Sequence, residues 1–281
     1  MEGDISWKKV IVRSVMTLVC ISMIWTVGIA AQSAIEVTFV ANEGVMITTG
    51  SNKILIDALF DNPNPAYAAP PKEMLEGMEA GKAPFDDVDL VLVTHNHPDH
   101  FSPSFAARFM ENNPNVILVA ATDTVSALKD NSKDWDRVQN RVFSFDLKPG
   151  ETSTKLVNGI AVKLFRTLHS GNRESPHNLM YLIKMDGQTI FHEGDSDGNP
   201  ETFKDTGLDE EEIELALVHF WFPLHPNGER IILDVLKPDH VWLIHLPKNW
   251  IADGPGKIDA VKSKYKDLFL FVEPGEKKTI R

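Results

Sequence analysis

The sequence contains a single cysteine, Cys20, among its 281 residues. This cysteine lies in an apolar N-terminal stretch, and the preceding Leu18-Val19 lacks the small residue expected before a lipidated cysteine. We therefore do not expect a lipoprotein. Because the chain after this stretch has no cysteine, the sequence excludes disulfides, thiol nucleophiles and cysteine-ligated zinc from the folded domain.

Positive charge is also scarce. Lys and Arg number 28 against 40 Asp and Glu, which gives a formal net charge of −12. This balance disfavours a nucleic-acid partner, because phosphate backbones are bound by surplus Lys and Arg. It is compatible with a small anionic substrate, since bound divalent cations would reverse the sign of the local charge. We expect a small-molecule substrate, and the sequence leaves the oligomeric state open.

Residues 1–34 differ in composition from the rest of the chain. Three basic residues precede an uncharged apolar run over 14–31, which ends among small residues, and this is the pattern of a secretory signal peptide. The alternative is an uncleaved signal anchor, although eighteen apolar residues fall slightly short of the roughly 20 that a spanning helix needs. In both cases we expect residues 35–281 to be exported, to the periplasm or outside the cell. The protein then contacts a membrane only if the segment is uncleaved.

The chain has the composition of a globular protein, with 43% hydrophobic and 24% charged residues. Short apolar or alternating segments predict strands, and segments with helical periodicity follow several of them. The predicted strands are 35–41, 45–48, 53–57, 88–93, 116–120, 142–145, 156–157, 160–165, 179–185, 189–192, 214–220, 241–244 and 268–272. The predicted helices are 72–80, 102–112, 122–129, 200–205, 228–236 and 256–266. This order indicates one domain of two mixed sheets with helices outside, and it is compatible with an internal two-fold.

The clearest motif is His95-Asn96-His97-Pro98-Asp99-His100, directly after the predicted strand 88–93. Imidazole and carboxylate are both good ligands for first-row metal ions. His95 and His97 are two residues apart, so both can point the same way from an extended segment and bind one ion. Asp99 and His100 lie beyond the turn that Pro98 favours and can reach a second ion. A solvated loop with incidental histidines is the alternative, and this spacing disfavours it.

This motif resembles the His-x-His-x-Asp-His signature of the metallo-β-lactamase-fold hydrolases. The flanking Val-Thr and Phe-Ser make it similar to the branch that includes ascorbate-6-phosphate lactonase and N-acyl phosphatidylethanolamine phospholipase D. The resemblance implies an α/β fold: a four-layer αββα sandwich of two mixed β-sheets flanked by helices. It also implies metal-dependent hydrolysis, and it covers roughly residues 35–272.

The resemblance further implies three metal ligands later in the chain. His169 follows the strand 160–165, Asp195 follows Gly194 after a hairpin strand, and His245 follows the strand 241–244. Two metal sites are implied, with Asp195 bridging them: site one is His95, His97 and His169, and site two is Asp99, His100 and His245. Asp57 resembles an early aspartate of the family that orients a metal-bound histidine through its other ring nitrogen.

The implied cofactor is a pair of divalent ions, first Zn²⁺, with Mn²⁺ or Fe²⁺ as alternatives. Zinc lowers the pKa of bound water from about 15.7 to about 7, and two ions about 3.5–4 Å apart can share a hydroxide and polarise the scissile bond. Asp195 would hold the ions at this distance, and Asp99 would orient the hydroxide. These two are the candidate catalytic residues. The group that protonates the leaving group is unassigned.

The other histidines are weaker candidates. His192 is interpreted as packing or as support for Asp195. His177 and His225 lie in predicted loops that could border the pocket, and His225 is the better candidate for substrate contact because it follows an aromatic cluster. His219 and His240 are interpreted as structural.

The substrate class is constrained by Asp195. By resemblance, true β-lactamases lack a bridging aspartate at this point, so a lactone, ester or phosphodiester substrate is favoured over a β-lactam amide. A di-iron oxidoreductase is disfavoured because no flavodoxin-like domain is present, and a non-catalytic metal-binding protein would be expected to have lost ligands. The loops 61–84 and 221–226 could cover the pocket. Neither has a cluster of basic residues, and Arg173 and Lys248 are the nearest cations by sequence.

Overall fold

The computed structural model describes residues 33–61 and 64–281. The signal peptide or anchor predicted for residues 1–34 therefore lies outside the described residues, except for positions 33 and 34. In the described part of the chain, no helix is both long enough and apolar enough to cross a membrane.

Runs of strands and short helices follow one another along the chain. The strands are β1 (Ile35–Ala41), β2 (Gly44–Thr49), β3 (Asn52–Ile56), β4 (Leu90–Leu92), β5 (Ile117–Ala121), β6 (Val142–Phe145), β7 (Thr152–Val157), β8 (Ile160–His169), β9 (Arg173–Met185), β10 (Gln188–His192), β11 (Leu215–His219), β12 (His240–Ile244), β13 (Leu268–Leu270) and β14 (Lys277–Ile280). The α-helices are α1 (Lys72–Glu79), α2 (Pro103–Asn112), α3 (Thr122–Asn131), α4 (Trp135–Val138), α5 (Pro200–Lys204), α6 (Pro226–Arg230) and α7 (Gly254–Val261).

The strands form two seven-stranded mixed sheets. Their orders are β14-β1-β2-β3-β4-β5-β6 and β13-β12-β11-β10-β9-β8-β7. In the first sheet, β3 to β6 are parallel and the remaining pairs are antiparallel. In the second sheet, β10 to β13 are parallel and the remaining pairs are again antiparallel. The two sheets therefore share one layout, as an internal two-fold requires.

Apolar side chains from both sheets form the central core, in which Trp242 is fully buried. The outer face of the first sheet is covered by α1 to α4, through side chains such as Phe105 and Phe109. The outer face of the second sheet is covered by α5, α7 and the segment Ile231–Leu236, through side chains such as Phe203 and Ile258. Both faces of β4 are buried, which explains why its sequence is apolar without alternation. This is the predicted four-layer αββα sandwich.

The hairpin of β8 and β9 extends beyond the predicted strands 160–165 and 179–185. The additional pairs include Thr167 opposite Asn178, whose polar side chains are both buried. Apolar alternation does not identify strand residues of this kind, because their buried side chains are polar. His177, which was predicted to lie in a loop, is therefore part of β9.

Two elements in the last quarter also differ from the prediction. The helix predicted over 228–236 is α6 followed by a π-helical turn over Ile231–Leu236. β14 has no counterpart among the predicted strands, because Lys277 and Lys278 interrupt its apolar pattern. This strand lies at the edge of its sheet, where lysines are common because they discourage pairing with other chains.

The carboxyl ends of the parallel strands position the candidate site. Asp57 follows β3, the 94–100 segment follows β4, and residues 193–195 follow β10. His219 is the last residue of β11, and His245 follows β12. In α/β proteins this end of the strands is where ligands bind.

Candidate metal centre

The segment from Thr94 to His100 connects β4 to α2 through a fixed turn. The backbone N–H of Thr94 donates to Asp57 Oδ1 at 2.7 Å, and its hydroxyl donates to Asp57 Oδ2. The backbone N–H of His100 donates to the carbonyl of His97 at 3.0 Å. Since His95 and His100 are fully buried, both imidazoles face the interior of the protein.

The residues predicted for site one lie together. His95 Nε2 is 3.0 Å from His97 Nδ1 and 3.3 Å from His169 Nε2. Asp195 Oδ2 is 3.2 Å from His169 Nε2 and 3.7 Å from His95 Nε2. The four side chains each present one donor atom to a common volume, with all donor atoms within 4.8 Å of one another.

The residues predicted for site two form a second, adjoining set. His100 Nε2 is 3.3 Å from His245 Nε2, and Asp99 Oδ2 lies 3.9 Å and 3.8 Å from these two nitrogens. Asp195 Oδ1 is 3.3 Å from His100 Nε2 and 3.5 Å from His245 Nε2. The two oxygens of Asp195 therefore face different donor sets.

Asp195 is placed by the glycine before it. The backbone N–H of Asp195 donates to Asn178 Oδ1 at 3.0 Å. Gly194 has a φ of +58°, and a Cβ there would lie 2.7 Å from both Asn178 Oδ1 and Thr94 Cβ. A side chain at this position would therefore displace the segment that carries Asp195, so the Gly-Asp pair is a geometric requirement.

The donor chemistry of the cluster fits metal ions. Imidazole nitrogens only 3.0–3.3 Å apart cannot all carry protons, so lone pairs converge between the side chains. Asp195 Oδ1 is buried and accepts no hydrogen bond. Buried polar atoms are rarely left without partners, and bound ions are one explanation for those that are. The structure thus brings all seven predicted residues together, and their individual roles as ligands stay predictions.

Burial and neighbouring charges shift the pKa values of the groups in the centre. Burial lowers the pKa of His95 and His245 well below the ordinary value, so both imidazoles are neutral at neutral pH. Burial opposes ionisation of Asp195, but the charge of the adjacent His100 outweighs it and holds the pKa of Asp195 well below its usual range. For His100, the charge of Asp195 and hydrogen bonds to Asp57 and Glu43 overcome burial and raise its pKa.

Several side chains orient the predicted ligands. His100 Nδ1 lies 2.8 Å from Asp57 Oδ2, which is the contact that the early aspartate was expected to make. Asn42 Nδ2 donates to the carbonyl oxygen and to Oδ2 of Asp99, at 3.0 and 3.3 Å. Arg173 Nη2 lies 2.7 Å from His169 Nδ1, and the carbonyl oxygen of Ser170 lies 3.2 Å from the same nitrogen. Arg173, a basic candidate from the sequence, therefore reaches site one.

The turn between β1 and β2 was not predicted to be part of the site. Besides Asn42, this turn contributes Glu43, which is fully buried and lies 3.1 Å from His100 Nδ1. Burial raises the pKa of Glu43 to about 8, although His100 and His219 partly oppose this. In the sequence, Glu43 is a charged residue between two apolar strands. This pattern does not indicate a role in the site, because an ordinary polar turn explains it equally well.

His219 was interpreted as structural, and the structure places it against the predicted ligands. Its Nε2 lies 3.3 Å from Asp195 Oδ1, and its ring centroid is 4.5 Å from that of His245. Glu193 accepts the backbone N–H of His219 at 2.8 Å and also contacts its Nδ1. Like His245, His219 ends an apolar strand, and that position was the signal that could have identified it.

The other histidines lie outside the two donor sets. His192 is buried, and its Nδ1 accepts from the backbone N–H of Gly194 at 3.2 Å, so it packs behind Asp195. His240 is paired with Asp267 at 2.8 Å. His225 is exposed, caps α6 and contacts Trp221 edge-on.

The rim of the centre is formed by loops, as the sequence indicated. Tyr67 packs edge-on against His245, with ring centroids 4.5 Å apart, and Trp221 contacts His219 at 6.1 Å. Lys248 donates two hydrogen bonds to the loop before Tyr67, from its backbone N–H to the Ala66 carbonyl and from its Nζ to the Pro65 carbonyl. Lys248 therefore holds the loop that carries Tyr67.

Comparison with known proteins identifies relatives along most of the chain. A UPF0173 metal-dependent hydrolase of Pyrococcus furiosus is 28% identical over 251 residues, which are 86% of this chain and 98% of that protein. A UPF0173 metal-dependent hydrolase of Pyrococcus horikoshii is 29% identical over 251 residues, with the same coverage of both chains.

Solved structures share the fold at lower identity. Igni18, a metallo hydrolase of Ignicoccus hospitalis, matches 88% of this chain and 99% of its own, with a TM-score of 0.59 and 19% identity. The metallo-β-lactamase fold protein YhfI of Bacillus subtilis matches 88% of this chain and 100% of its own, with a TM-score of 0.59 and 13% identity. The family profile described as "Beta-lactamase superfamily domain" matches residues 52–245. This chain therefore belongs to the metallo-β-lactamase superfamily and is a metal-dependent hydrolase.

Proposed function

We propose that the protein is an exported hydrolase with a dinuclear metal centre that acts on a lactone, an ester or a phosphodiester. The observation that carries this proposal is the placement of Asp195. Its Oδ2 faces His95 and His169 at 3.7 and 3.2 Å, and its Oδ1 faces His100 and His245 at 3.3 and 3.5 Å. A carboxylate between two sets of histidines is suited to hold two ions close together.

The chain's residues indicate which ions fit. His95, His97 and His169 would hold one ion together with Asp195 Oδ2, and the site-two residues would hold the other with Oδ1. The predominance of imidazole favours Zn²⁺, with Mn²⁺ or Fe²⁺ as alternatives because carboxylates are also present. When bound, such ions supply a nucleophile at neutral pH and polarise the scissile bond.

Asp99 is the proposed catalytic carboxylate beside Asp195. Asn42 fixes it with two hydrogen bonds, at 3.0 Å to its carbonyl oxygen and 3.3 Å to Oδ2. Its Oδ2 remains within 3.9 Å of His100 Nε2, on the side of site two. A fixed carboxylate at this point can orient an attacking water and hold its proton.

The surroundings of the centre favour a substrate of low charge. Arg173 and Lys248 are the two basic candidates from the sequence. Lys248 is hydrogen-bonded to the loop that carries Tyr67, and Arg173 is the one that reaches the centre. One cation suits a neutral lactone or ester, or a phosphodiester with one negative charge, better than a phosphomonoester with two. Tyr67 and Trp221 supply aromatic surface for an apolar part of the substrate.

A substrate panel on metal-loaded protein tests the proposal. Lactones, carboxylic esters, phosphodiesters and cephalosporins would be compared at equal enzyme concentration, with chelated protein and Asp99→Asn as controls. We expect turnover in one of the first three classes and its loss in both controls. Turnover of cephalosporins alone would show a β-lactamase-type amide hydrolase, and loaded protein inactive on all four would contradict the proposed substrate class.

Export is proposed from the composition of residues 1–34. Expression of the full chain, followed by fractionation and N-terminal sequencing, tests it. We expect a mature N-terminus near residue 35 in the exported fraction. An intact N-terminus in a membrane fraction would show an anchor, and intact protein confined to the cytoplasm would contradict export.

A further inference from the structure

We propose that His219 is an additional ligand of site two and that Glu193 holds it for this role. The inference rests on the dinuclear centre proposed above and extends it by one residue. The metallo-β-lactamase signature in the sequence did not assign His219, which is therefore an eighth candidate ligand.

The position of His219 is that of a ligand. Asp195 Oδ1 is surrounded by three imidazole Nε2 atoms, those of His100, His219 and His245, at 3.3, 3.3 and 3.5 Å. This oxygen accepts no hydrogen bond although it is buried. One ring nitrogen each of His219 and His245 and a carboxylate oxygen of Asp195 lie within 4.8 Å of one another, which is close enough for one ion to bind all three.

Glu193 selects the required tautomer. It is fully buried, contacts His219 Nδ1 and accepts the backbone N–H of His219 at 2.8 Å. A carboxylate at Nδ1 places the proton on that nitrogen and leaves the Nε2 lone pair free. His100, a predicted ligand, is built in the same way, because its Nδ1 lies 2.8 Å from Asp57 and its Nε2 faces the centre. Ligating histidines are commonly oriented by a carboxylate in this way.

The surroundings fix the imidazole of His219 in this orientation. The ring of Phe222 is stacked on it, with an interplanar angle of 14° and centroids 6.3 Å apart. Glu43 is a second buried acid, 3.8 Å from His219 Nδ1. His219 thus has acidic oxygens facing both ring nitrogens, those of Glu193 and Glu43 at Nδ1 and Asp195 Oδ1 at 3.3 Å from Nε2.

The test uses 113Cd²⁺ as the metal probe, bound to the full chain labelled with 15N in histidine. Scalar coupling between 113Cd and imidazole nitrogen counts the histidines on each ion. We expect two cadmium signals, each coupled to three imidazole nitrogens, and His219→Gln should lose one coupling from the site-two signal. The same variant should weaken binding of the second cadmium ion at least about 10-fold. His240→Gln is the matched control and should change neither measurement.

The outcomes separate this inference from the proposed function. Two cadmium signals with only two nitrogens coupled at site two would overturn the assignment of His219 and leave the dinuclear centre intact. A single signal in the unmodified chain would overturn the dinuclear centre and the His219 assignment together. Because the count of couplings is made on the unmodified chain, it remains decisive even if His219→Gln does not fold.

Discussion

Replacement of Asp195 by asparagine tests the two-site arrangement most directly. The variant keeps the size of the side chain and the backbone N–H that donates to Asn178 at 3.0 Å. It removes the negative charge, and an amide has one carbonyl oxygen, which can face only one of the two donor sets. We expect the variant to fold and to bind one metal ion instead of two.

The size of the effect follows from the charges. Two divalent ions about 4 Å apart repel each other by roughly 16 kcal/mol at an effective dielectric constant of about 20. Asp99 and Asp195 are the carboxylates among the seven predicted ligands, so the variant leaves one ligand charge for both ions. Loss of a residue that only orients a ligand weakens metal binding by about 10- to 100-fold. Loss of the shared ligand should exceed this, so we expect at least a 100-fold weaker second site, or about 2.7 kcal/mol.

Elemental analysis after dialysis against micromolar zinc gives the stoichiometry, and calorimetric titration gives the two affinities. Asp197→Asn is the matched control, because Asp197 bonds to Asn199 and Thr202 and belongs to neither donor set. Hydrolysis should fall at least as far as the second affinity. Two ions bound at unchanged affinity in Asp195→Asn would refute the bridging role.

Three further predictions concern the support of the centre. Asp57→Asn should weaken metal binding about 10- to 100-fold, because Asp57 orients His100. Calorimetric titration measures the affinity, with Asp86→Asn as the control. An unchanged affinity in Asp57→Asn would contradict the prediction. Gly194→Ala should lower the free energy of unfolding by at least about 1–2 kcal/mol because residue 194 has a φ of +58°, and the Cβ contacts at 2.7 Å should lower it further. Urea denaturation measures the free energy of unfolding. A variant as stable as the wild type would show that the segment around residue 194 adapts to the added side chain. Burial raises the pKa of Glu43 from 4.5 to about 8, so the metal-free fold keeps a proton that the unfolded chain releases, and stability falls as pH rises through this range. Glu43→Gln should remove up to about 4 kcal/mol of that decline between pH 5 and 8 in chelated protein; an unchanged slope would show that Glu43 is not the cause.

Two kinds of site residue could be predicted from the sequence. They are residues that lie close together along the chain and residues that come at the end of an apolar strand. His95, His97, Asp99 and His100 fall within six positions, so a single loop brings them together. His169, Asp195 and His245 come from distant strands and were located by their order in a known family. The structure shows why that order works, since the strands that carry them end at the same edge of the sandwich.

The parts that could not be predicted depend on contacts between distant segments. Glu43 reads as a turn residue, and only the packing of the β1–β2 turn against His100 makes it part of the centre. His219 was interpreted as structural because a histidine at the end of an apolar strand usually is. Its partner Glu193 is 26 positions away, and nothing in the local sequence of either residue indicates the pair. Apolar periodicity likewise failed where β8 and β9 carry buried polar side chains.

The buried acids around the centre connect its folding to its chemistry. Carboxylates that are buried within it or directly behind it come from four separate segments: Glu43, Asp57, Asp99, Glu193 and Asp195. Burial of an ionised group costs several kcal/mol, and a buried acid without a cation tends to keep its proton. Accordingly, burial raises the pKa of Glu43 to about 8 and that of Glu193 to about 7. Such acids do not favour the metal-free fold, and an apolar residue in their place would pack at lower cost. Bound cations explain why these acids are present. The positive charge of the cations lowers the cost of keeping the buried carboxylates ionised.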